Sequence, residues 1–244
     1  MCNHESQFDT LATLYDNMST WPFRREIEIP AVLEHIGDVK GLNILDFGCG
    51  SGHYARLLKS KEANRVVGYD IAGGMLEHAR EREIKYPQGI EYTSTLDGFE
   101  NKFDLVLGVY VLPYASSREE LQNMVDSMVK LLRPGGRFLT LPLNPQYIID
   151  PNYYTPYGFQ LTTDHPHQEG SEVYLHLPQG DDHIIITAWY WSRVSMNQAF
   201  EKSGLKDIHW SYPQSRCLSS TMDLTSYIDN PHTMLVEGIY MGNQ

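Results

Sequence analysis

Asn43-Ile44-Leu45-Asp46-Phe47-Gly48-Cys49-Gly50-Ser51-Gly52 is a short apolar run that closes on three glycines at alternate positions. Apolar runs of this length bounded by glycine read as buried strands. Tyr54, Leu57 and Leu58 resume at helical spacing just beyond it. The stretch is therefore a strand, a glycine turn and the start of a helix. At such a junction glycine permits the tight turn and lets a ligand approach the backbone at the N–H groups of the helix start. A dinucleotide site would want Gly-x-Gly-x-x-Gly/Ala, and the third position after Gly50 is His53, which argues against a nicotinamide cofactor. Asp70 closes the next apolar run, Arg65-Val66-Val67-Gly68-Tyr69, 20 residues beyond Gly50. A carboxylate placed there accepts hydrogen bonds from two adjacent ribose hydroxyls. Asp46, at the end of the first strand, anchors the turn or faces a cationic group of the ligand.

The alternation of strand and helix continues outward. Residues 74–84 read as a helix, Ile90-Glu91-Tyr92 as a strand and Phe103-Asp104-Leu105-Val106-Leu107-Gly108 as a buried strand. Leu121, Met124, Val125, Met128, Leu131 and Leu132 mark an amphipathic helix opened by Ser117-x-x-Glu120, a capping-box spacing. Pro134-Gly135-Gly136 stops it before a strand over Arg137-Phe138-Leu139-Thr140-Leu141. Two helices precede the first strand, one carrying Phe8, Leu11, Leu14, Tyr15 and Met18, the other Ile27, Val32, Leu33 and Ile36. From Gln146 to Asp182 the chain is crowded with Tyr, Pro, His and Asp and keeps no period, as an insertion would. Val173–Leu177 and His183–Trp189 then read as paired strands, Ser192 as the cap of a helix with Val194, Ala199 and Phe200, and the neighbourhoods of Ile208 and 234–240 as two closing antiparallel strands.

The expected fold class is α/β: a doubly wound, Rossmann-like seven-stranded sheet, mostly parallel with an antiparallel end, and an insertion after the fifth strand. Its ligand site lies beyond the carboxyl ends of the strands. Residues 1–244 form a single domain, in which the N-terminal helices of 1–40 make a lid and the insertion 143–190 makes the substrate side.

With 244 residues, 41% hydrophobic and 20% charged, the chain can bury a full core. Its 19 basic against 31 acidic residues give a net charge of −12, which disfavours nucleic acid and anionic lipid as partners and favours a small molecule. Three cysteines, Cys2, Cys49 and Cys217, without a Cys-x-x-Cys spacing, support neither a disulfide framework nor a structural zinc site. No run is long enough to span a bilayer, and polar residues interrupt the N-terminus where a signal peptide would be apolar, so a soluble, cytoplasmic protein is expected.

Four elements, taken in order, resemble the class I S-adenosylmethionine-dependent methyltransferase family: Leu45–Gly52, Val67-Gly68-Tyr69-Asp70, Phe103–Leu107 and Leu131-Leu132-Arg133-Pro134-Gly135-Gly136-Arg137-Phe138. The resemblance spans roughly residues 8 to 142. It implies S-adenosyl-L-methionine as cofactor. The backbone of Gly48, Cys49 and Gly50 would pack on its methionine part, Asp70 would hold the ribose, and Ile71 and Met75 would flank the adenine. Leu96 and Asp97 would meet the adenine amino group, and Val109 and Tyr110 would line the region near the sulfonium. A further likeness, through Phe8-Asp9, Tyr15, Arg25, Ile36-Gly37-Asp38-Val39, Tyr114-Ala115, Tyr157-Gly158 and Trp191-Ser192-Arg193, points to the toxoflavin-type azapteridine N-methyltransferases.

Arg25 and Tyr15 are the candidates for the cofactor carboxylate. Many of the 16 tyrosines and 4 tryptophans fall late in the chain, Trp189 among them, as contact with a flat substrate would use, and the resemblance places Tyr110 and Tyr157 toward the methyl end of the cofactor as further candidates for that contact. His165-Pro166-His167 and Asp181-Asp182-His183 read as turn residues, so no metal is expected. Asn144-Pro145-Gln146-Tyr147 is similar to the Asn-Pro-Pro-Tyr motif of methyltransferases acting on amino groups, but it follows the fifth strand instead of the fourth. The expected activity is methyl transfer to nitrogen or oxygen of a small, planar aromatic or heterocyclic metabolite, with no catalytic residue assigned. The alternative is a methyltransferase-like fold serving as a cofactor-binding regulatory subunit, or catalysing a rearrangement without methyl transfer.

Overall fold

β1 (Asn43–Phe47) pairs in parallel with β2 (Arg65–Tyr69) on one side and with β4 (Phe103–Val109) on the other, so chain order reverses between β1 and β4. In open α/β sheets ligands bind in the crevice at that reversal. The computed structural model describes residues 7–8, 10–179, 182–214 and 221–242. With β3 (Glu91–Thr93), β5 (Leu132–Leu141), β9 (Leu205–Ser211) and β10 (Leu235–Tyr240) the sheet has seven strands in the order β3-β2-β1-β4-β5-β10-β9. β10 is antiparallel to both of its neighbours and the other strands run in one direction.

Every residue of β4 is buried, as a central strand covered on both faces requires. The two-residue period of the strands then sorts the core. Ile44, Val66, Leu105 and Leu107 face α2 (Ile29–Ile36), α3 (His53–Ser60) and α4 (Gly73–Lys85). Leu45, Val67 and Val106 face α5 (Arg118–Val129) and α6 (Arg193–Lys202). The expected caps form: Ser117 Oγ accepts the Glu120 N–H at 3.1 Å and Ser192 Oγ accepts the Ser195 N–H at 3.2 Å.

β5 starts five residues earlier than its apolar pattern suggests. Leu132 already pairs with Phe103, and the ladder shifts register through Pro134-Gly135-Gly136 before Arg137 pairs with Leu105. The insertion builds its own antiparallel sheet, β6 (Gln160–Thr162), β7 (Glu172–Gln179) and β8 (Asp182–Trp189). Tyr147, Tyr154, Phe159, Leu161 and Val173 from this region share a third buried cluster with Leu11 and Met18 at α1 (Ala12–Met18), with Phe23, and with Tyr227 of α7 (Thr225–Asp229). That cluster sets the insertion and the N-terminal segment beside the carboxyl ends of the strands. Among the described residues no helix is long and apolar enough to cross a membrane.

Candidate active site

A cavity of about 490 Å3 lies beyond the carboxyl ends of β1, β2 and β4. Of the residues singled out from the sequence, Tyr15, Asp46, Gly48, Cys49, Gly50, Asp70, Ile71, Met75, Val109 and Tyr110 all line it. Gly48 and Gly50 have φ of +69° and +53°, values that L side chains rarely adopt, and a Cβ on Gly48 would stand 2.6 Å from Val111 Cγ2. The turn is fastened from β2: Asp70 accepts the Gly50 N–H at 2.7 Å through Oδ2 and the Ala72 N–H at 2.9 Å through Oδ1. An ionised carboxylate has about four acceptor positions, so these bonds are compatible with simultaneous bonds to sugar hydroxyls. Asp46 does for α3 what its sequence position suggests, accepting the Ala55 N–H at 2.9 Å.

Arg25 stands outside the cavity. Its side chain is 57% exposed and ion-pairs with Glu26 at 2.6 Å, whereas Arg24 is buried and lines the cavity. Local backbone geometry is the reason. Residues Arg24–Glu28 form a π turn, in which the Ile29 N–H donates to the Arg24 carbonyl five residues back, and the wider turn brings Arg24 inward. Its guanidinium lies 4.9 Å from the centre of the Tyr110 ring, with Nε 3.7 Å from Glu28 Oε2. Glu28 four residues on was the available sequence signal for this pair. Arg24 Nε is buried and has no hydrogen-bond partner.

Four other expected positions also lie away from the cavity lining. Leu96 packs against the core on the α5 face, and its carbonyl accepts the Phe99 N–H at 3.2 Å; Asp97 is exposed and its N–H donates to Thr95 Oγ1. Tyr157 is buried edge-on against Tyr227, and Trp189 is half-buried against the α6 side of the core. Trp189 follows from aromatic crowding in the sequence and Tyr157 from the family resemblance; both rings serve packing in the fold. His165 and His167 lie on the exposed turn before β7, with His167 Nε2 3.0 Å from the Tyr147 carbonyl. Cys2, Asp9, Asp181 and Cys217, and the side chains of Asp182 and His183, lie outside the described residues.

Burial governs the electrostatics. It pushes the Asp46 carboxyl up to about 7, with the nearby Asp70 charge adding to the effect. It pushes the His53 imidazole down to about 4, helped by the charges of Arg24 and Arg56. The Cys49 thiol, buried beside the same carboxylates, is held well above its ordinary range and is no nucleophile at neutral pH. Tyr110 has φ of +58°, an uncommon conformation for a bulky residue. Its N–H bonds the Leu141 carbonyl at 3.2 Å and its hydroxyl donates to the buried Glu28, which together hold it there.

Residues 44–136 match the family described as a methyltransferase domain. Over that stretch the chain is similar to methyltransferase domains. Among relatives, the ribosomal protein L11 methyltransferase of Burkholderia mallei is 32% identical over 97 residues, which is 40% of this chain and 30% of that protein. The tRNA U34 carboxymethyltransferase of Idiomarina loihiensis is 29% identical over 145 residues, 54% of this chain and 41% of that protein. The chain thus spans less than half the length of these curated relatives. The CcbJ methyltransferase of Streptomyces caelestis shares the fold over 99% of this chain and 100% of its own, with a TM-score of 0.68 at 17% identity. The matched stretch ends at Gly136, within β5, so the insertion with its three-stranded sheet lies beyond it.

Proposed function

We propose that this protein is an S-adenosylmethionine-dependent methyltransferase acting on nitrogen or oxygen of a small, planar aromatic or heterocyclic metabolite. One observation carries the reading: a single 490 Å3 cavity gathers the glycine turn, a strand-end carboxylate and a buried guanidinium. That set fits an aminoacyl sulfonium nucleoside. The orphaned Nε of buried Arg24 suits the carboxylate of the amino-acid part, and the backbone at Gly48–Gly50 leaves that part room to approach. Asp70 suits the ribose hydroxyls. Ile71, 75% exposed at the mouth, and Met75 beneath it offer apolar faces to a purine. When bound, the cofactor would supply an electrophilic methyl on sulfur.

The chain's own contribution to such a reaction is positioning and exclusion of water, which together supply on the order of 7–11 kcal/mol in favourable cases. Tyr15, Tyr110 and Tyr114 form an aromatic wall where an acceptor would meet the methyl, with Tyr15 and Tyr114 hydroxyls 3.4 Å apart. A net charge of −12 supports a small-molecule acceptor over a nucleic acid. Calorimetry with S-adenosylhomocysteine tests the first half of the reading and is expected to show saturable binding that is lost in Asp70→Ala. Transfer of a labelled methyl into a small-molecule extract tests the second. Binding without transfer in broad extracts would favour a cofactor-binding regulatory subunit; no binding would remove the reading altogether.

A further inference from the structure

A second, smaller cavity of about 60 Å3 lies behind the first, and Tyr15, Arg24, Tyr110 and Tyr114 line both. Its far wall is apolar, with Phe23, Phe159, Leu161 and Val173 among its residues, and the imidazole of His232 opens onto it. His232 is buried between the rings of Phe159, at 4.6 Å, and Tyr110, at 5.9 Å, with Phe23 edge-on at 5.7 Å. Its backbone is clamped as well. The Asn144 N–H donates to the His232 carbonyl and Asn144 Nδ2 donates to the Pro231 carbonyl, both at 2.7 Å.

The hydrogen bonds behind the ring fix its tautomer. Glu28 is fully buried and accepts from three hydroxyls: Tyr227 at 2.6 Å and Thr233 at 2.8 Å on Oε1, and Tyr110 on Oε2. Tyr227 has one proton, and the carboxylate takes it. The contact of 2.8 Å between the Tyr227 hydroxyl and His232 Nδ1 therefore needs the hydrogen on Nδ1. The Nε2 lone pair is left for the cavity. Carboxylate, hydroxyl and imidazole stand in series, so positive charge arriving on the ring is compensated through Tyr227 by Glu28, with His232 Nδ1 itself 3.8 Å from the carboxylate.

We propose that His232 Nε2 orients the O–H or ring N–H of the methyl acceptor and receives its proton, and that Tyr227 and Glu28 are the positioning residues that hold it ready. The inference rests on the methyltransferase reading above. In the step, the acceptor O–H or N–H bond breaks and its proton goes to Nε2. The electron pair left on oxygen or nitrogen forms the bond to the methyl carbon, and the pair of the broken carbon–sulfur bond stays on sulfur. The proton returns to solvent once the products leave. The groups facing His232 are Glu28 and Arg24 from the π turn, Tyr110 at the end of β4, Tyr227 of α7 and Tyr154 of the insertion. Burial, with Arg24 adding to it against Glu28, lowers the imidazole to about 4, so the ring is neutral at physiological pH and a weak base. A weak base selects acceptors whose own proton is loosely held, such as phenols and acidic ring N–H groups, over aliphatic alcohols.

The test uses the full chain with 15N-labelled histidine. In the wild type, saturated with S-adenosylhomocysteine, the His232 nitrogens are expected to show a protonated Nδ1 and a bare Nε2 at pH 7; Tyr227→Phe should shift this tautomer balance. A protonated Nε2 at pH 7 would overturn the proposal without needing any acceptor. In parallel, His232→Gln is expected to bind S-adenosylhomocysteine within about threefold of wild type while losing about 100-fold or more in labelled-methyl transfer to extract. Transfer by that variant at more than a tenth of the wild-type rate would also overturn it. Loss of S-adenosylhomocysteine binding by the wild type itself would instead sink the methyltransferase reading.

Discussion

Arg24 and Arg25 are neighbours in the chain and face opposite ways: Arg24 turns its guanidinium onto the Tyr110 ring inside the cavity, while Arg25 pairs with Glu26 at the surface. Arg24→Met keeps most of the buried apolar stem and removes the cation. The lost charged hydrogen bonds, worth about 1.5–3 kcal/mol, should weaken S-adenosylhomocysteine about 10- to 100-fold by calorimetry. Arg25→Ala should leave affinity within about twofold, because an exposed ion pair contributes about 0–1 kcal/mol to stability and nothing to the cavity. Equal losses in the two variants would mean that the guanidinium does not meet the ligand.

The contrast between these two residues shows what a sequence carries and what it does not. Strand-helix alternation over 43–141 places β1 to β5 and the glycine turn, because burial on both faces leaves a local pattern of apolar runs. Asp70 was legible for the same reason: its position at a strand end follows from the run before it. Arg24 was not, since a π turn changes the facing of a residue without changing composition. Nor was His232, whose surroundings come from the N-terminal segment, β4, the insertion and α7, segments up to 205 residues apart in the chain. β6, with three residues, and α7, with five, are too short to show a period.

Asp70 holds the turn as well as being the proposed acceptor for the ribose hydroxyls. Asp70→Ala removes the acceptor for the Gly50 and Ala72 N–H groups, so a stability loss of about 1–3 kcal/mol is expected from the two orphaned donors. Urea unfolding measures it. Asp70→Asn keeps one acceptor oxygen and should recover part of that stability without recovering ligand affinity. If Asn restored affinity fully, a carboxylate would not be required at the sugar.

Asp46 predicts a pH effect of defined sign. Its carboxyl titrates at about 7 in the folded protein and near 3.8 in a model peptide, so the fold prefers the neutral form. The associated penalty is absent below pH 4, grows as pH rises through that window and is complete above 7. Asp46→Asn still offers an oxygen to the Ala55 N–H and should stabilise the protein at pH 8 by up to about 4 kcal/mol, with no gain at pH 4. A cationic ligand draws the carboxyl back toward ionisation. Binding at pH 7 should therefore release a fraction of a proton, read as a dependence of the calorimetric heat on the ionisation enthalpy of the buffer. Heats identical across buffers would place the ligand's cation elsewhere.

Asp16 fastens α1 beside the mouth of the cavity. Its carboxylate accepts from Ser51 Oγ at 2.5 Å, lies 2.9 Å from His78 Nε2, and ion-pairs with Arg82 at 3.0 Å and Arg56 at 3.7 Å. Burial opposes the charge, but these partners outweigh it and hold the carboxyl below its ordinary range. The linkage runs opposite to that of Asp46. A depressed carboxyl contributes stability that is present above pH 4 and fades as acid protonates it. The anchors come from the glycine turn, α3 and α4, whereas Tyr15 and Ser19 on either side of Asp16 line the cavity. Asp16→Asn should leave the sheet intact and release α1. Backbone amides at Tyr15 and Ser19 are then expected to exchange with deuterium faster by about tenfold or more, as local opening no longer breaks the ion pairs. Ligand dissociation should accelerate with them, since Tyr15 and Ser19 line the cavity. Faster exchange at β4 or β5 of the same variant is not expected, and an unchanged dissociation rate together with faster exchange at α1 would show that the helix does not gate the cavity.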